Sequence, residues 1–425
     1  MIEHELRQPI VAEMHLRRWH AVCPPSTIIQ IVRIVDADER QAEAVTLTDM
    51  FKRMDIAFPS GARHISHQLS GQLSFTWEQH TEASSITLFG GDGLARCFDS
   101  AVPGDDPDQH ARLWIEAMPG RVIRATRISI VASEQEAEHL LPAFDFLESD
   151  LVSCRIEGGV RIWSDFRLHA DGYGRLLIAA NGLSGNPLSR LVQRLQELGN
   201  YRNMALLGLP LAREQWKKLD QIEHDLRNLS FDVADPAASD DSLLESVTRL
   251  SMELGAIATD GGYRMNATAA YAVLVEERLS ELAVTRIDGW MSLADFTKRR
   301  LQPAVRTCST HKDRLAELSS RAADFTALLR ARIETRIENQ NGRLLSSMER
   351  RAAAQLQLQQ LVEGLSVFAL SYYCIGLLSY IIKGLETRFA IASPALILGI
   401  ATPVVITSAW LIIHRLKHRM LSRLD

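Results

Sequence analysis

Two long uncharged runs near the carboxy terminus constrain this chain more than any other feature. From Leu365 to Ile382 it reads LSVFALSYYCIGLLSYII, about 18 residues that span about 27 Å as a helix, close to the hydrocarbon thickness of a bilayer. After KGLETR a second run, FAIASPALILGIATPVVITSAWLII from Phe389 to Ile413, is about 25 residues long and crosses with some tilt. The competing reading is a buried hairpin of a soluble protein, but soluble helices rarely omit charge from every face over such lengths. The expectation is a transmembrane hairpin over residues 364–413, with spans 365–382 and 389–413, meeting the lipid bilayer.

The flanks set its orientation. The tail, residues 414–425, carries Arg415, Lys417, Arg419 and Arg423, whereas the loop between the runs offers Lys383 and Arg388 against Glu386. Positive-inside bias places the tail in the cytoplasm, and two spans return the amino-terminal part to the same side. The amino terminus, MIEHELRQPIVAEMHLRRWH, lacks the apolar stretch of a secretory signal. Five cysteines, widely spaced and without a Cys-x-x-Cys pair, fit a reducing compartment. The reading is a multi-pass protein of the bacterial inner membrane with both termini cytoplasmic. A net charge of −5 gives no basic field to draw nucleic acid, which is not expected as a partner.

Within the second run Ala395, Gly399 and Pro403 recur every fourth residue, a small-residue stripe that lets another helix approach closely. In the first run Tyr372, Gly376 and Ser379 or Tyr380 share a helical face. Interhelical packing and a pore lining both fit these positions.

At 425 residues the chain is long enough for more than one structural unit. Residues 1–186 alternate strand-like and helix-like stretches. Thr27–Val35 is β-rich, and Asp36-x-x-Glu39 then caps a helix to about Met54. Strand-like segments follow around Leu69 to Thr81, in SITLFGG, and from Val122 to Val131. Ser133-x-x-Glu136 caps a helix reaching about Leu147. SCRIEGG, VRIWSDFRLH and GRLLIAAN then read as an antiparallel meander, with a turn at Asp171-Gly172. The whole predicts an α+β cytoplasmic domain.

Residues 187–363 read as a helical region, interrupted at Pro210 and hinged near residues 231–241, with Ser242-x-x-Glu245 recapping the chain behind the hinge. Further helices are expected from Leu243 to Glu281 and from Leu293 to Arg300, with Pro303 as a break. Beyond it Leu315, Leu318, Ala322, Phe325, Leu329, Ile333, Ile337, Leu344, Met348 and Leu356 keep roughly heptad spacing. That spacing predicts a long, coiled-coil-like stalk helix entering the first span. The alternative is a fold-back at Asn339-Gln-Asn-Gly342.

Glu78, His80 and Glu82 are the most chemically suggestive set. On a regular strand they share a face opposite Phe75 and Trp77, where two carboxylates and an imidazole, helped by His64 or His67, suit a divalent cation. A solvated polar face gives the same pattern, and no cofactor is predicted. Gly90-Gly91-Asp92-Gly93 lacks the Lys-Ser/Thr of a phosphate-binding loop and reads as a turn. Neither Gly-x-Ser-x-Gly nor His-Glu-x-x-His occurs, so hydrolase and metalloprotease chemistry have no motif and an enzyme is not expected.

Several segments together resemble a bacterial family of uncharacterised, predicted membrane-anchored proteins, a domain of unknown function. They are Trp77-Glu-Gln-His-Thr-Glu82, Tyr201-Arg-Asn-Met-Ala-Leu-Leu-Gly-Leu-Pro210, Pro303-Ala-Val-Arg-Thr-Cys308, Gln340-Asn341 and the block from Leu344 to Tyr373. The chain departs from that pattern at His15-Leu-Arg-Arg18 and at Ala83. The resemblance implies an architecture and no reaction. More distantly, the order of parts is similar to CorA-type magnesium channels, but Ser379-Tyr-Ile-Ile-Lys-Gly-Leu385 stands where those channels carry Gly-Met-Asn. Lys383 at such a mouth repels a divalent cation. The expected function is a membrane-anchored scaffold or sensor forming a homo-oligomer, with a divergent cation channel as the alternative.

Overall fold

The structure, a computed structural model, describes residues 4–7, 10–11, 19–56, 62–97, 106–235, 238–386 and 394–421. The chain divides into two compact units, Met1–Thr326 and Ala327–Asp425. His15 to Arg18, Arg388, Phe389 and Arg423 lie outside the described residues.

The first unit is built on a mixed sheet. Its strands are β1 (Ser26–Ile34), β2 (His64–Ser70), β3 (Leu73–Gln79), β4 (Ala83–Gly90), β5 (Arg121–Val131), β6 (Val152–Arg155), β7 (Arg161–Ser164), β8 (Gly174–Ala179) and β9 (Thr285–Arg286). Among the described residues they lie in the order β2-β3-β4-β1-β5-β8-β7-β6-β9. Every pairing is antiparallel except β5 with β8, parallel from Thr126↔Gly174 to Val131↔Ala179. The expected meander is present as β6 to β8. The parallel join and helices on both faces make the unit α/β with a mixed sheet, which corrects the α+β expectation.

Alternation along the strands divides the core. Ile29, Ile31, Phe75, Trp77, Ile86 and Leu88 face α1 (Ala37–Arg53) and α3 (Pro107–Glu116), which bring Leu47, Phe51 and Ile115. The short α2 (Asp92–Arg96) lies between β4 and α3 in the chain. Ile28, Ile128, Ile130, Leu176 and Ile178 point the other way, onto Leu188, Leu191, Leu195 and Leu198 of α5 (Gly185–Leu206). Each such side chain, fully buried, contributes about 1.5–3 kcal/mol. Because the apolar stripe of α5 closes on the sheet, the helices beyond residue 186 belong to the same compact unit as the strands.

Local signals account for most boundaries. Asp36 and Glu39 form the reciprocal capping box that starts α1. Ser133 accepts from Glu136 N–H to start α4 (Glu134–Leu140), but Pro142 follows at once and the chain tightens into a 3₁₀ turn, so this helix stops short of Leu147. After α5 come α6 (Gly208–Ala234) and α7 (Asp240–Glu281), on either side of the expected hinge; residues 236–237 lie outside the described residues. The helix starts at Asp240, behind Ser239, so Ser242 is inside it and caps nothing.

The last two helices are α8 (Leu293–Glu386) and α9 (Pro394–Leu421). Contrary to expectation Pro303 does not break α8. The proline forgoes one backbone hydrogen bond, while Leu301, Ala304 and Cys308 around it are buried and hold the helix straight through. The second unit contains the remainder of α8, which runs unbroken through Asn339–Gly342, and α9. Apolar residues along it stand exposed, among them Ile337, Leu344, Met348, Leu356, Leu365, Phe368, Leu396 and Ile400. Among the described residues, nothing packs within 4 Å of where a Cβ would stand on Gly376 or Gly399.

Candidate functional site

Glu78, His80 and Glu82 part company at the end of β3. The strand stops at Gln79, and the His80 N–H donates to Ala83 O at 2.8 Å to close the turn into β4. Glu82, 8% exposed, turns to α7. There it meets Arg264 Nη2 at 2.7 Å and accepts from the Tyr263 hydroxyl at 3.4 Å. The carboxylate of Glu78 lies 3.8 Å from His64 Nε2 and 3.8 Å from His80 Nε2. Of the three, Glu78 and His80 thus cluster with His64, while Glu82 is taken up by its α7 partners. His67 lies on the opposite face, against Phe51. Among the described residues no group of three or more His, Cys, Asp or Glu is arranged to hold a metal ion. β4 ends at Gly90, Gly91 is the N-cap of the short α2, and Asp92 and Gly93 are its first residues, so the segment is a strand-to-helix junction rather than the expected turn.

Register carries this cluster across the sheet. His64 faces Glu78, Glu78 faces Ser85, Ser85 faces Val32 and Val32 faces Arg124, all on the α5 side. The neighbouring row is Ser66, Thr76, Thr87, Gln30 and Thr126, linked by Gln30 Nε2 to Thr87 Oγ1 at 3.1 Å. Thr76, Thr87, Gln30 and Thr126 of that row are buried, which gives this half of the sheet a polar inner face where a dry core would need apolar side chains.

Among the cavities on that face, one of about 280 Å³ is lined by Glu78, His80, Asn200, Tyr201 and Tyr271 among others. On its wall Glu197 has its pKa raised by burial, against the opposing pull of Arg278 at 2.7 Å. The segments Trp77–Glu82 and Tyr201–Pro210, which the sequence singled out separately, both contribute to this cavity.

A smaller cavity, about 150 Å³, lies between β5, β8 and α5, and its lining contains Arg124, Arg167, Arg175 and Arg202 but no aspartate or glutamate. Arg167 and Arg175 are each paired outside the lining, with Asp150 and Asp171 at 3.3 Å. Arg124 and Arg202 have no carboxylate partner among the described residues. Arg124 Nη1 donates to Gln196 Oε1 at 2.6 Å, Asn200 Oδ1 at 2.8 Å and Gln30 Oε1 at 3.2 Å. Its guanidinium occupies the space a side chain at Gly199 would need, since a Cβ there would lie 2.8 Å from Arg124 Cζ. Arg202, 9% exposed, lies over the Phe166 ring at 4.6 Å and the Phe296 ring at 5.4 Å. Burial pushes both guanidinium pKa values down, and for Arg124 the nearby Arg202 adds to the shift. Arginine nonetheless stays cationic in proteins.

Sequence reasoning missed Arg124 and Arg202. The available signal was a charge on the core face of β5, where Arg124, Thr126, Ile128 and Ile130 alternate inward, opposite a glycine in mid-helix at Gly199.

Fold and cavities define an α/β unit with a polar, ligand-sized inner face, in a chain whose carboxy-terminal part holds two apolar helices. The chain belongs to the family described as protein of unknown function (DUF3422), whose profile covers residues 2–420. No curated protein and no solved structure matches it, and the layout shared with CorA-type channels gains no support.

Proposed function

We propose that this protein is anchored in a bilayer by its carboxy-terminal helices and acts as a scaffold or sensor through its α/β unit, without catalysis. The observation that carries the reading is apolar exposure. The two helices long and apolar enough to cross have windows of mean hydropathy 1.8 and 2.3, only 11% and 6% buried. Leu365, Phe368, Leu396 and Ile400 are each about two-thirds exposed or more. Water would penalise that surface at about 25 cal/mol per Å², whereas acyl chains cover it.

The exposed seam Ile337, Leu344, Met348 and Leu356 on α8 supports a homo-oligomer, since a second copy would bury it as a coiled coil. The basic tail supports a cytoplasmic position for both termini. The test is fractionation of the full chain and of a deletion lacking residues 364–413. The reading requires the full chain to resist alkaline carbonate extraction and the deletion to become soluble. A full chain that extracts freely would overturn it.

A channel is the second reading, favoured by the exposed hydroxyls of Tyr372 and Tyr380 in an apolar segment. Between copies they would line a path with Gly376, and Lys383 would disfavour divalent cations there. Absence of ion flux in proteoliposomes removes this reading.

A further inference from the structure

We propose that the cavity between β5, β8 and α5 is a binding site for a small organic monocarboxylate, with Arg124, Arg202 and Gln196 receiving the carboxylate.

Every unsatisfied group there is a donor. Gln196 is fully buried, and because arginine can only donate, it must turn its oxygen to Arg124 Nη1. Its Nε2 is thereby left buried with no partner. Arg202 Nη1 is likewise buried without a hydrogen bond. Its flat face rests on Phe166 and Phe296, so the N–H edge of the guanidinium is what remains to bind. All three side-chain hydrogen bonds of Arg124 leave from Nη1, so Nε and Nη2, which lie beside Gly199, make none. Two cations without a carboxylate partner, Arg202 buried and Arg124 half-buried, and an orphaned amide donor are costly together, and an anion between them relieves all three at once.

The remaining lining sets the class. Phe166, Leu176, Leu195, Leu198 and Leu293 stand beside the donors, which suits an anion carrying an apolar group. The 150 Å³ volume limits that group to a ring or a short chain. A planar carboxylate also matches the fork of a guanidinium. The site draws on observations independent of the membrane helices, so it stands or falls separately from anchorage.

The experiment is a binding titration of the full chain in non-ionic detergent with benzoate, its neutral isostere benzamide, and inorganic phosphate, followed by calorimetry and thermal unfolding. The expected result is saturable benzoate binding that raises the unfolding midpoint, with no saturation by benzamide or phosphate. Arg202→Met is expected to weaken benzoate by roughly tenfold or more. Without ligand it should unfold at or above the wild-type midpoint, because it removes an unpaired buried charge. Gln196→Leu serves as a second variant, weakening benzoate while the sheet stays intact by circular dichroism. Equal binding of benzoate and benzamide, binding of phosphate alone, no saturable binding, or unchanged affinity in both variants would each overturn the proposal.

Discussion

Replacing Gly208 with alanine measures how tightly the helical layer is closed. A Cβ at Gly208 would lie 2.4 Å from Thr268 Oγ1 and 3.4 Å from Cys308 Sγ. Thr268 is 1% exposed and its hydroxyl donates to Ala205 O at 2.9 Å, so it cannot rotate away without giving up that bond. Overpacking costs about 1–3 kcal/mol and the hydrogen bond about 1 kcal/mol, against a gain of up to about 1 kcal/mol from alanine's helix propensity. The net expectation for Gly208→Ala is a loss of about 1–3 kcal/mol. Gly255, on the exposed side of α7 with nothing within 4 Å, is the internal control. Its alanine variant should gain about 0.5–1 kcal/mol. Urea unfolding of the full chain in non-ionic detergent, followed by tryptophan fluorescence, compares the two, and Thr268→Ala on the Gly208→Ala background should recover part of the loss. If Gly208→Ala and Gly255→Ala raise the midpoint alike, the close approach of α6 to α7 is wrong.

Arg264→Met leaves Glu82 nearly buried without its 2.7 Å partner and should destabilise by about 3 kcal/mol; Glu82→Gln in the same background should restore part of this in the same unfolding assay. His311 is fully buried with no hydrogen-bond partner on either ring nitrogen, and burial, then Arg314, pull its pKa below the ordinary 6.5. The unfolded chain therefore takes up this proton first, so stability from neutral His311 is full above pH 6.5 and is lost as pH falls toward the folded value. His311→Leu should flatten that slope between pH 7 and 5, and an unchanged slope would remove His311 as its source. Substituting leucine at Gly399, whose Cβ position is open, should leave the unfolding midpoint of the first unit within about 0.5 kcal/mol. Cross-linking of the same variant in membranes then reports whether that open face meets a second copy.

Elements with a strong local code were legible from the residues. The capping box at Asp36, the β-branched run of β1, the alternation of β5 and the apolar periodicity of α7 each specify their own segment. What depended on distant partners was not. Pro303 looked like a break because its penalty is local, while the packing of Leu301, Ala304 and Cys308 that outweighs it is tertiary. Glu82 was grouped with Glu78 and His80 on a strand that does not reach it: β3 ends three residues earlier, and the chain beyond carries Glu82 to Arg264 and Tyr263 of α7. Arg124, Arg202 and Gln196 lie on two elements separated by more than 70 positions in the chain, and only the parallel join of β5 to β8 under α5 brings their surroundings together.

That join also orders the assembly of the protein in time. The hairpins β2-β3-β4 and β6-β7-β8 close over short loops, whereas β5 and β8 must meet across everything between Val131 and Gly174. Loop-closure entropy makes this event slower than closure of the hairpins, as it does the pairing of β1 with β4 and β5, so the hairpins are expected to form before the seam between β5 and β8 closes. The small cavity takes lining from both sides of the seam, Arg124 and Thr126 on one and Gly174 and Leu176 on the other. A nascent or partly unfolded chain then has no such cavity at all, and anything that binds there acts as a clasp on a finished sheet. Pulse-labelled amides at Ile128 and Ile178 gaining protection later than those at Phe75 and Ile162 would be its kinetic signature.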